Sequence, residues 1–419
     1  MKIAVVGAGV SGLVAAHRLG RVHDVTLLES EATLGGHANT VNVLENGRNV
    51  ALDTGFLVFN TNTYPNFVAL LAELGVPTAP SRMSFSVRSD TRDFEYGGSD
   101  LDALYAQRRH VASPRFHRMV WDILRFYREA PALLGAEHDM PMRAWLEERR
   151  FSRQFIDDHL LPMLRAVWSA RHDVAEEFPA RFLVRFFKNH GFLDVRQPTW
   201  LTIPGGSRRY VDAIAREFRG EIRCGSRVRR ITRRASGPLV ETDAHGAEHF
   251  DHVVLACHAD QALALLSDPS DLELELLPKF PYQANEAVLH TDESLMPRLR
   301  KTWSSWNVHL DDAGANGACI TYWLNSLQPL EAKKNYFVTL NRTHAIDPAL
   351  ALRHFQYAHP VFTLEGVTAQ ARHGELIDHR STSYAGAYFR NGFHEDGVVS
   401  ALRVCERLGV GPGALGRAA

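Results

Sequence analysis

The sequence has few cysteines, few lysines and no long hydrophobic run. Its four cysteines, Cys224, Cys257, Cys319 and Cys405, lie far apart and include no CxxC pair. A disulfide framework is therefore not expected in a chain of this length, and no cysteine metal site is indicated. No apolar run approaches the roughly 18 residues that a membrane-spanning helix needs. These absences favour a protein of a reducing cytoplasm.

The sequence also lacks an excess of charge of either sign. Its 47 lysine and arginine residues balance 48 aspartate and glutamate residues, which gives a net charge of −1. A net charge this close to zero gives no reason to expect nucleic-acid binding or strong attraction to anionic membranes. With 419 residues and 45% hydrophobic content, the chain is long enough for two or three domains with sizeable cores.

A nucleotide-binding pattern opens the chain. Residues 2–6, KIAVV, have the composition of a buried parallel strand and lead into Gly7-Ala8-Gly9-Val10-Ser11-Gly12. A helical segment follows, and then a second strand that ends at Glu29. In this order Gly7 allows a tight turn, Gly9 admits a pyrophosphate, and Gly12 lets helix and strand pack closely. Glu29 can accept hydrogen bonds from the ribose hydroxyls and disfavours a 2′-phosphate.

The alternative for this segment is a signal peptide, because a lysine precedes an apolar stretch. The complete order of strand, glycines, helix, strand and acid favours the dinucleotide site, and cleavage would remove the first strand of the fold. The predicted cofactor-binding residues here are Gly7, Gly9, Ser11, Gly12 and Glu29.

The next segments indicate which dinucleotide is bound. A Gly35-Gly36 pair is followed by Asp53-x-Gly55, an arrangement that resembles the flavoprotein superfamily of monoamine oxidases, phytoene desaturases and protoporphyrinogen oxidase. In that superfamily the double glycine passes close to the FAD pyrophosphate and ribityl chain. The residue after it is usually arginine, and here it is His37. The resemblance implies FAD contacts from Gly35, Gly36, His37 and Gly55.

The C-terminal part supplies a matching motif. Residues 383–400, SYAGAYFRNGFHEDGVVS, resemble the closing motif of the same superfamily, in which a glycine-rich loop enters a helix beneath the flavin. On this resemblance Gly386 approaches the pyrophosphate or ribityl region, and residues 392–396 pass beside the isoalloxazine. A helix starting near Gly397 would aim its N-terminal dipole at the flavin O2/N1 region. The implied cofactor residues are Gly386, Glu395, Asp396 and Gly397.

Three departures from the superfamily pattern bear on the chemistry. Ala387 replaces an acid that commonly contacts the ribityl chain, and Phe393 stands at the position of the aromatic-cage tyrosine of amine oxidases. The segment 281–297, where amine oxidases usually place a lysine water-bridged to flavin N5, contains no lysine. FAD is still expected as the cofactor, whereas simple amine oxidation is disfavoured.

A third FAD element is implied between the two motifs. Residues 223–234 and 253–266 resemble the returning Rossmann segment of the superfamily, in which the backbone of a valine, here Val228, holds the adenine. The alternative is a plain βαβ unit with Val228 in its core. No second GxGxxG follows a strand, so a separate NAD(P)H site is not expected.

The remaining pattern sets the predicted architecture. Asn46-Gly47 predicts a hairpin turn, residues 100–190 show helical periodicity, and residues 281–345 show β-type runs. The predicted fold is α/β, with a Rossmann-type, amine-oxidase-like FAD-binding domain interleaved with an α+β substrate domain that carries a helical cap. The predicted FAD-binding segments are 1–80, 200–272 and 372–419, and the predicted substrate-domain segments are 81–199 and 273–371.

The details most resemble one branch of the superfamily, the bacterial flavoproteins encoded beside cyclopropane-fatty-acid synthases and fused to them in plants. The blocks that carry this resemblance include GGHANTV, DTGFLVFN and AGAYFRNGFHEDG. It implies an FAD-dependent oxidoreductase of a lipophilic substrate, such as a methylated, cyclopropane or furan fatty acyl chain. Two alternatives stay open: an amine oxidase or carotenoid- or porphyrinogen-type desaturase, and a non-catalytic FAD-binding partner of a lipid methyltransferase.

Candidate substrate residues lie in the β-rich part. Its large aromatic residues can wall an apolar slot for an acyl chain, or they can simply fill the core of a sheet. The predicted substrate residues are Trp303, Trp306, Tyr322 and Trp323, with Asn325 and Gln328 as polar candidates.

Among the 21 histidines, His37 and His394 stand out because their motifs pass beside the cofactor. With an ordinary pKa near 6.5, either can transfer a proton at neutral pH. The predicted catalytic residues are His37, His394 and Phe393, and no metal is expected.

The predicted partners follow from the substrate. A phospholipid acyl chain or a lipid methyltransferase would bring the protein to the inner membrane face, and nucleic acid is not expected. The basic run Arg227–Arg230 is either a solvated strand face or a membrane contact.

Overall fold

The computed structural model describes residues 1–136, 138–169, 177–193, 198–310 and 319–411. Parts of the predicted segments 81–199, 273–371 and 372–419 therefore lie outside the described residues, and the predicted domain boundaries stay predictions.

The strands alternate between several sheets. In chain order they are β1 (Lys2–Val6), β2 (Asp24–Leu28), β3 (Thr40–Glu45), β4 (Arg48–Asp53), β5 (Phe59–Asn60), β6 (Ala79–Ser81), β7 (Phe85–Ser89), β8 (Phe94–Gly97), β9 (Trp200–Thr202), β10 (Glu221–Arg223), β11 (Val228–Arg234), β12 (Gly237–Thr242), β13 (Gly246–His249), β14 (His252–Leu255), β15 (Tyr282–His290), β16 (Trp306–His309), β17 (Cys319–Trp323), β18 (Phe337–Leu340), β19 (Ala351–Pro360) and β20 (Thr382–Tyr384).

The helices concentrate between the sheets and in the predicted cap. In chain order the α-helices are α1 (Val10–Leu19), α2 (Pro65–Glu73), α3 (Leu101–Leu104), α4 (Pro114–Glu129), α5 (Met142–Glu148), α6 (Arg153–Phe155), α7 (Leu161–Trp168), α8 (Ala180–Asn189), α9 (Arg208–Glu217), α10 (Ala259–Leu265), α11 (Asp271–Leu276), α12 (Leu324–Leu327), α13 (Leu364–Gln370) and α14 (His394–Arg407). No helix within the described ranges is long and apolar enough to cross a membrane.

A parallel sheet in the order β10–β2–β1–β14–β20 forms the nucleotide-binding part. Its central strands β1 and β14 are almost completely buried, which explains their continuous apolar sequences. Because the carboxyl ends of parallel strands meet at one edge, the loops that follow these strands lie together there. Those loops carry Gly7, Glu29, Cys257 and Gly386.

The first and last helices of the described chain pack side by side on this sheet. Gly397 of α14 lies so close to α1 that an added Cβ would come within 2.8 Å of Ser11 Oγ and 2.7 Å of Val10 Cγ1. The two terminal segments therefore belong to one structural unit.

A seven-stranded sheet in the order β19–β15–β18–β17–β16–β7–β8 forms the second part. Its pairs are antiparallel except for β16 with β7. The predicted hairpin is confirmed as β3 and β4, and both residues of its turn have positive φ, 50° at Asn46 and 79° at Gly47. This is the backbone of the two-residue turns that suit the twist of a hairpin.

The helical cap covers one side of the cavity that lies between the two main sheets. In α4, Pro114 takes the first turn and Ser113 Oγ accepts a hydrogen bond from Phe116 N at 3.2 Å, which is a favourable helix start. Apolar side chains of α4, α5, α7 and α8 form a core together with Val87, Phe94 and Tyr96 of β7 and β8. The predicted fold class is confirmed.

Candidate active site

A cavity of about 680 Å³ lies at the carboxyl edge of the parallel sheet and extends toward the seven-stranded sheet. Its nucleotide end is lined by the predicted cofactor residues of all three FAD elements, and its other end by aromatic side chains of the cap and the substrate sheet. The predicted cofactor residues that line it are Gly7, Gly9, Ser11, Glu29, Gly35, Gly36, His37, Gly55, Val228 and Gly386.

The glycines at the nucleotide end allow close backbone packing. Gly7 has a φ of +98°, and its N–H donates to Leu28 O at 2.8 Å, so the chain turns directly after β1. A Cβ at Gly12 would come within 1.8 Å of Gly7 O, and a Cβ at Gly36 would come within 3.2 Å of Gly9 Cα. The double glycine is thus seated against the first glycine motif.

The structure contains an opening where a pyrophosphate would lie. A Cβ at Gly9 would meet no protein atom within 4 Å, and Gly9 lines the cavity at the start of α1. Backbone N–H groups of a helix start favour phosphate oxygens. These features fit the diphosphate of FAD.

Glu29 is the acid at the end of β2. Its carboxylate accepts hydrogen bonds from Ala8 N at 2.7 Å and from Glu31 N at 2.9 Å, and it lines the cavity beside Ser226 and Val228. It therefore lies between the phosphate loop and the strand that is implied to hold the adenine, which is where a ribose would sit.

His37 follows the double glycine and faces a group of rings. Its ring centroid lies 5.0 Å from that of Tyr357 and 5.3 Å from that of His359. Its Nε2 is buried without a hydrogen-bond partner among the described residues, as expected for a group that awaits a ligand. Burial, together with the nearby His258, lowers the pKa of His37 to about 4.

His394 is the first residue of α14. Its ring stacks on Phe56 at 3.6 Å, and its Nε2 is hydrogen bonded to Tyr210 Oη at 3.1 Å. Burial lowers the pKa of His394 to about 3, and His37 adds to that effect. Burial therefore favours the neutral form of both rings and lowers their pKa values from the ordinary 6.5 on which the sequence-based expectation depends.

Phe393 lines the cavity next to the cap. Its ring stacks with Phe186 at 5.1 Å and lies 6.0 Å from His190 and 6.4 Å from Trp168. The aromatic group around Phe393 is thus completed by helices α7 and α8 and not by a second residue of the C-terminal motif.

Three predicted cofactor residues of the C-terminal motif do not line the cavity, namely Glu395, Asp396 and Gly397. The predicted place of Glu395 and Asp396 beside the isoalloxazine and the predicted cofactor contact of Gly397 are therefore corrected. The carboxylate of Glu395 accepts hydrogen bonds from Asn66 Nδ2 at 2.7 Å and Phe67 N at 2.9 Å, which caps the first turn of α2. Asp396 accepts from Phe393 N at 2.9 Å. This cap starts α14 at His394, three residues before the predicted start at Gly397, and Gly397 packs against α1 instead.

Two of the predicted substrate aromatics lie at the cavity and two do not. Trp306 and Tyr322 are cross-strand partners with ring centroids 5.6 Å apart, and both line the cavity. Trp303 and Trp323 contact each other at 5.4 Å away from the lining, with the guanidinium of Arg300 3.6 Å above the Trp303 ring. Placing Trp303 and Trp323 in the substrate slot was therefore wrong.

The two polar substrate candidates are also corrected. Asn325 Nδ2 donates to Lys334 O at 2.9 Å and its Oδ1 accepts from Tyr336 N at 2.8 Å, so it braces a loop. Gln328 is buried and forms two hydrogen bonds with Asp53. Neither residue lines the cavity.

The sequence reasoning missed several residues that line the substrate end. Trp168 and Phe186 come from α7 and α8, His190 directly follows α8, and Trp200 comes from β9. The apolar periodicity of the cap marks these residues as buried, but periodicity does not separate a side chain that faces a core from one that faces a cavity.

Comparison with known proteins gives the family. A protein-family model described as flavin containing amine oxidoreductase matches residues 10–306. AofH of Mycobacterium tuberculosis, whose name assigns it to the flavin-containing monoamine oxidases, is 28% identical over 282 residues, which cover 64% of this chain and 59% of AofH. The chain thus matches less than two thirds of the length of this relative.

Solved structures share the fold across nearly the whole chain. A protein of Exiguobacterium sp. 255-15, named as a protoporphyrinogen oxidase, matches with a TM-score of 0.70 and 17% identity over 97% of this chain and 98% of that one. A CLA-producing fatty acid isomerase from P. acnes matches with a TM-score of 0.65 and 14% identity over 97% and 98%. At such identities the likeness establishes the fold alone.

Proposed function

Because the chain belongs to the flavin-containing amine oxidoreductase family, we propose that it is an FAD-dependent oxidoreductase that removes hydrogen from the carbon chain of a lipophilic substrate. The finer part of the proposal is that this substrate is a fatty acyl chain that carries a methyl, cyclopropane or furan modification.

The uncharged lining at the substrate end of the cavity carries this proposal. Among the described lining residues, the carboxylate and guanidinium groups are those of Glu29, Glu31 and Arg227, and all three lie at the nucleotide end. Burial lowers the pKa of each cavity histidine, which favours its neutral form. A hydrocarbon chain is stabilised by such a lining, whereas an ammonium group finds no carboxylate partner there.

The aromatic walls give the substrate an orientation. Trp168, Phe186, Trp200, Trp306 and Tyr322 enclose the space next to Phe393. Flat rings of this kind bury large apolar areas and hold a slender chain at a fixed distance from the cofactor cradle. They also exclude water, which favours hydride transfer over side reactions.

FAD, when bound, supplies the two-electron acceptor for this oxidation. The residues that would hold it are the glycine motif, Glu29, the double glycine, Val228 and Gly386. No lysine occurs among the described lining residues. The neutral His37 and His394 are weak bases, so the proposed role of both is to orient the cofactor and substrate by hydrogen bonds and packing.

The resemblance to flavoproteins encoded beside cyclopropane-fatty-acid synthases supports the finer assignment. A lipid methyltransferase of that kind would produce a branched or cyclopropane acyl chain, which is the substrate class proposed here. Association with such a methyltransferase stays a prediction from the sequence.

The test is anaerobic reduction of the FAD-loaded protein, followed by the absorbance of the oxidised flavin. Cyclopropane, methyl-branched and furan fatty acyl esters are compared with benzylamine and putrescine. Bleaching by the lipids alone is expected. Bleaching by the amines alone, with peroxide released in air, would make the protein an amine oxidase and overturn the proposal. A flavin that dithionite reduces but no lipid or amine does would support the non-catalytic partner.

A matched pair of tryptophan variants adds specificity to this test. Trp306→Phe alters the cavity wall and is expected to slow lipid-dependent bleaching at least about fivefold through a misplaced substrate. Trp303→Phe, in the loop before β16 and away from the cavity, is expected to leave the rate within about twofold. Equal effects of the two substitutions would contradict the proposed substrate position.

A further inference from the structure

Exposed apolar side chains gather on the outer face of the helical cap. Leu101 is 74% exposed, Val111 57%, Trp121 54% and Leu124 54%. The described part of the chain has ten exposed large hydrophobic residues, and these four all lie between residues 101 and 124. Single exposed leucines need no explanation, but a cluster that includes a tryptophan marks an interaction surface.

Hydrogen bonds and helix geometry join these positions. Tyr105 Oη lies 3.3 Å from His117 Nδ1, and His117 Nε2 lies 2.8 Å from Val111 O. On α4, Trp121 follows His117 by four residues and Leu124 follows Trp121 by three, so the three share one helix face. The cap surface is defined here as Leu101, Val111, Trp121 and Leu124 with the adjacent Arg115, Arg118 and Arg128.

The opposite face of α4 is fixed in the core of the cap. Phe116, Met119 and Phe126 are buried there. The buried Asp122 accepts hydrogen bonds from Arg118 Nε at 3.1 Å and from Ser152 N at 2.9 Å. Turning α4 to bury the exposed side chains would expose this core, so the cap surface stays outward.

Arginines outnumber carboxylates around these apolar side chains, although Asp102 next to Leu101 pairs with Arg108, and Asp93 pairs with Arg109. Residues 108–128 contain six arginines and a single acidic residue, Asp122, which is buried. Arg118 and Arg128 are each more than half exposed although each also contacts a carboxylate. Arg115, next to them, is not within ion-pair distance of a carboxylate among the described residues, although its charge acts on Asp158.

We propose that the cap surface binds anionic phospholipid bilayers. Trp121 and Leu124 would enter the boundary between headgroups and acyl chains, and the arginines would contact lipid phosphates. Anionic lipid is the proposed ligand because the arginines of the cap surface complement lipid phosphates. The chain as a whole carries a net charge of only −1, so this attraction has to be local. A tryptophan bracketed by arginines is also the composition of an interfacial anchor.

This surface differs from the basic run that the sequence singles out. In that run Arg227 and Val228 line the cofactor cavity, and Arg229 is paired with Asp243 at 2.7 Å. The cap surface, in contrast, lies on helices whose core also contains Trp168 and Phe186 of the cavity wall. Bilayer binding would therefore hold at the membrane the same cap that forms one wall of the substrate end.

Vesicle sedimentation of the FAD-loaded full chain tests the proposal without any turnover, so its failure is distinguishable from failure of the proposed oxidation. Phosphatidylcholine vesicles are compared with phosphatidylcholine vesicles that contain phosphatidylglycerol, at low and high salt. Binding is expected to need phosphatidylglycerol and to weaken with salt. Equal binding to both vesicle types, or to neither, would overturn the proposal.

Three variants locate the binding. The double variant Trp121→Ser/Leu124→Ser and the double variant Arg115→Gln/Arg128→Gln are each expected to lower the bound fraction at least about fivefold. The control is Leu274→Ser, since Leu274 is 51% exposed on α11 outside the cap, and it is expected to bind like the wild type. A lower oligomeric mass of the first variant with unchanged vesicle binding would make the surface a contact between copies and overturn the proposal.

Quenching by brominated lipids provides a second measurement that needs only a mild substitution. Tryptophan fluorescence of the wild type is expected to be quenched by brominated phosphatidylglycerol, and Trp121→Phe is expected to remove most of the quenched signal. Quenching that Trp121→Phe leaves unchanged would place the lipid contact elsewhere.

Discussion

Gln328 and Asp53 form a buried pair joined by two hydrogen bonds. Gln328 Oε1 accepts from Asp53 N at 3.0 Å, and Gln328 Nε2 donates to Asp53 Oδ2 at 3.1 Å. Asp53 also accepts from Thr40 Oγ1 at 2.6 Å and from Ser207 N at 2.9 Å. The pair joins the β3–β4 hairpin, the start of α9 and the loop after α12, which are distant in sequence.

We expect Gln328→Ala to destabilise the protein. It removes two buried hydrogen bonds and leaves Asp53 N without its acceptor, so the free energy of unfolding should fall by about 1–3 kcal/mol. Denaturant unfolding measures this, with the exposed Gln356→Ala as the control at under about 0.5 kcal/mol. An unchanged unfolding midpoint with slower lipid-dependent bleaching would instead return Gln328 to the substrate site.

Asp53 gives the stability a specific pH dependence. Burial raises its pKa from 3.8 to about 6, although hydrogen bonds from Thr40 and Ser207 act in the opposite direction. Because the folded-state pKa lies above the unfolded one, the stabilisation is fully present below about pH 4 and is lost as the pH rises through 6. A shift of this size corresponds to about 3 kcal/mol.

Asp53→Asn should remove that dependence. Between about pH 4 and pH 7, the wild type is expected to lose about 2 kcal/mol of unfolding free energy relative to the variant. Urea unfolding across the pH series measures it, with the exposed Asp271→Asn as the control. A constant difference across the series would show that Asp53 is ionised normally in the folded protein.

Gly9→Ala should weaken FAD binding without weakening the fold. The added methyl meets no protein atom within 4 Å but enters the space next to the start of α1, where the pyrophosphate is expected. FAD affinity, followed by flavin fluorescence, should fall at least about tenfold. Gly135→Ala is the matched control, because its added methyl also meets nothing within 4 Å and Gly135 lies outside the cavity. Equal FAD affinity of both variants would place the diphosphate elsewhere.

The two motif histidines should not shape the activity near neutral pH. Burial holds the pKa of His37 at about 4 and that of His394 at about 3. Titration of either histidine is therefore not expected to change the rate of flavin reduction by substrate near pH 6.5. The test compares wild type with His37→Asn and His394→Asn from about pH 5 to pH 8. A limb near pH 6.5 that one substitution abolishes would restore that histidine as an acid or base.

The same histidines act on stability in the direction opposite to Asp53. Their folded-state pKa values are lowered from 6.5, so the stability that their neutral forms contribute is present above about pH 6.5 and is lost as the pH falls toward 3–4. The melting temperature of the wild type should therefore fall more steeply below about pH 5 than that of His394→Asn, because the variant has no imidazole to protonate at this position. Parallel curves would contradict the burial of a neutral ring.

Adjacent residues on β17 show what the sequence could have excluded. Tyr322 and Trp323 are neighbours on one strand, so their side chains point to opposite faces of the sheet. A slot on one face cannot be walled by both, and only Tyr322 lines the cavity. Strand alternation was thus available as a signal, whereas the contact of Trp303 with Trp323 comes from a loop whose path is not encoded locally.

The sequence by itself determined the cofactor end of this protein. A strand, three glycines, a helix, a second strand and an acid specify a phosphate loop through short-range turn and packing rules, and the hairpin at Asn46-Gly47 follows the same logic. The tertiary structure alone decided the substrate end and the protonation of the site. Which aromatic and polar side chains face the cavity depends on how two sheets and the cap meet. The pKa values of His37, His394 and Asp53 depend on burial, which arises only when distant segments exclude water together.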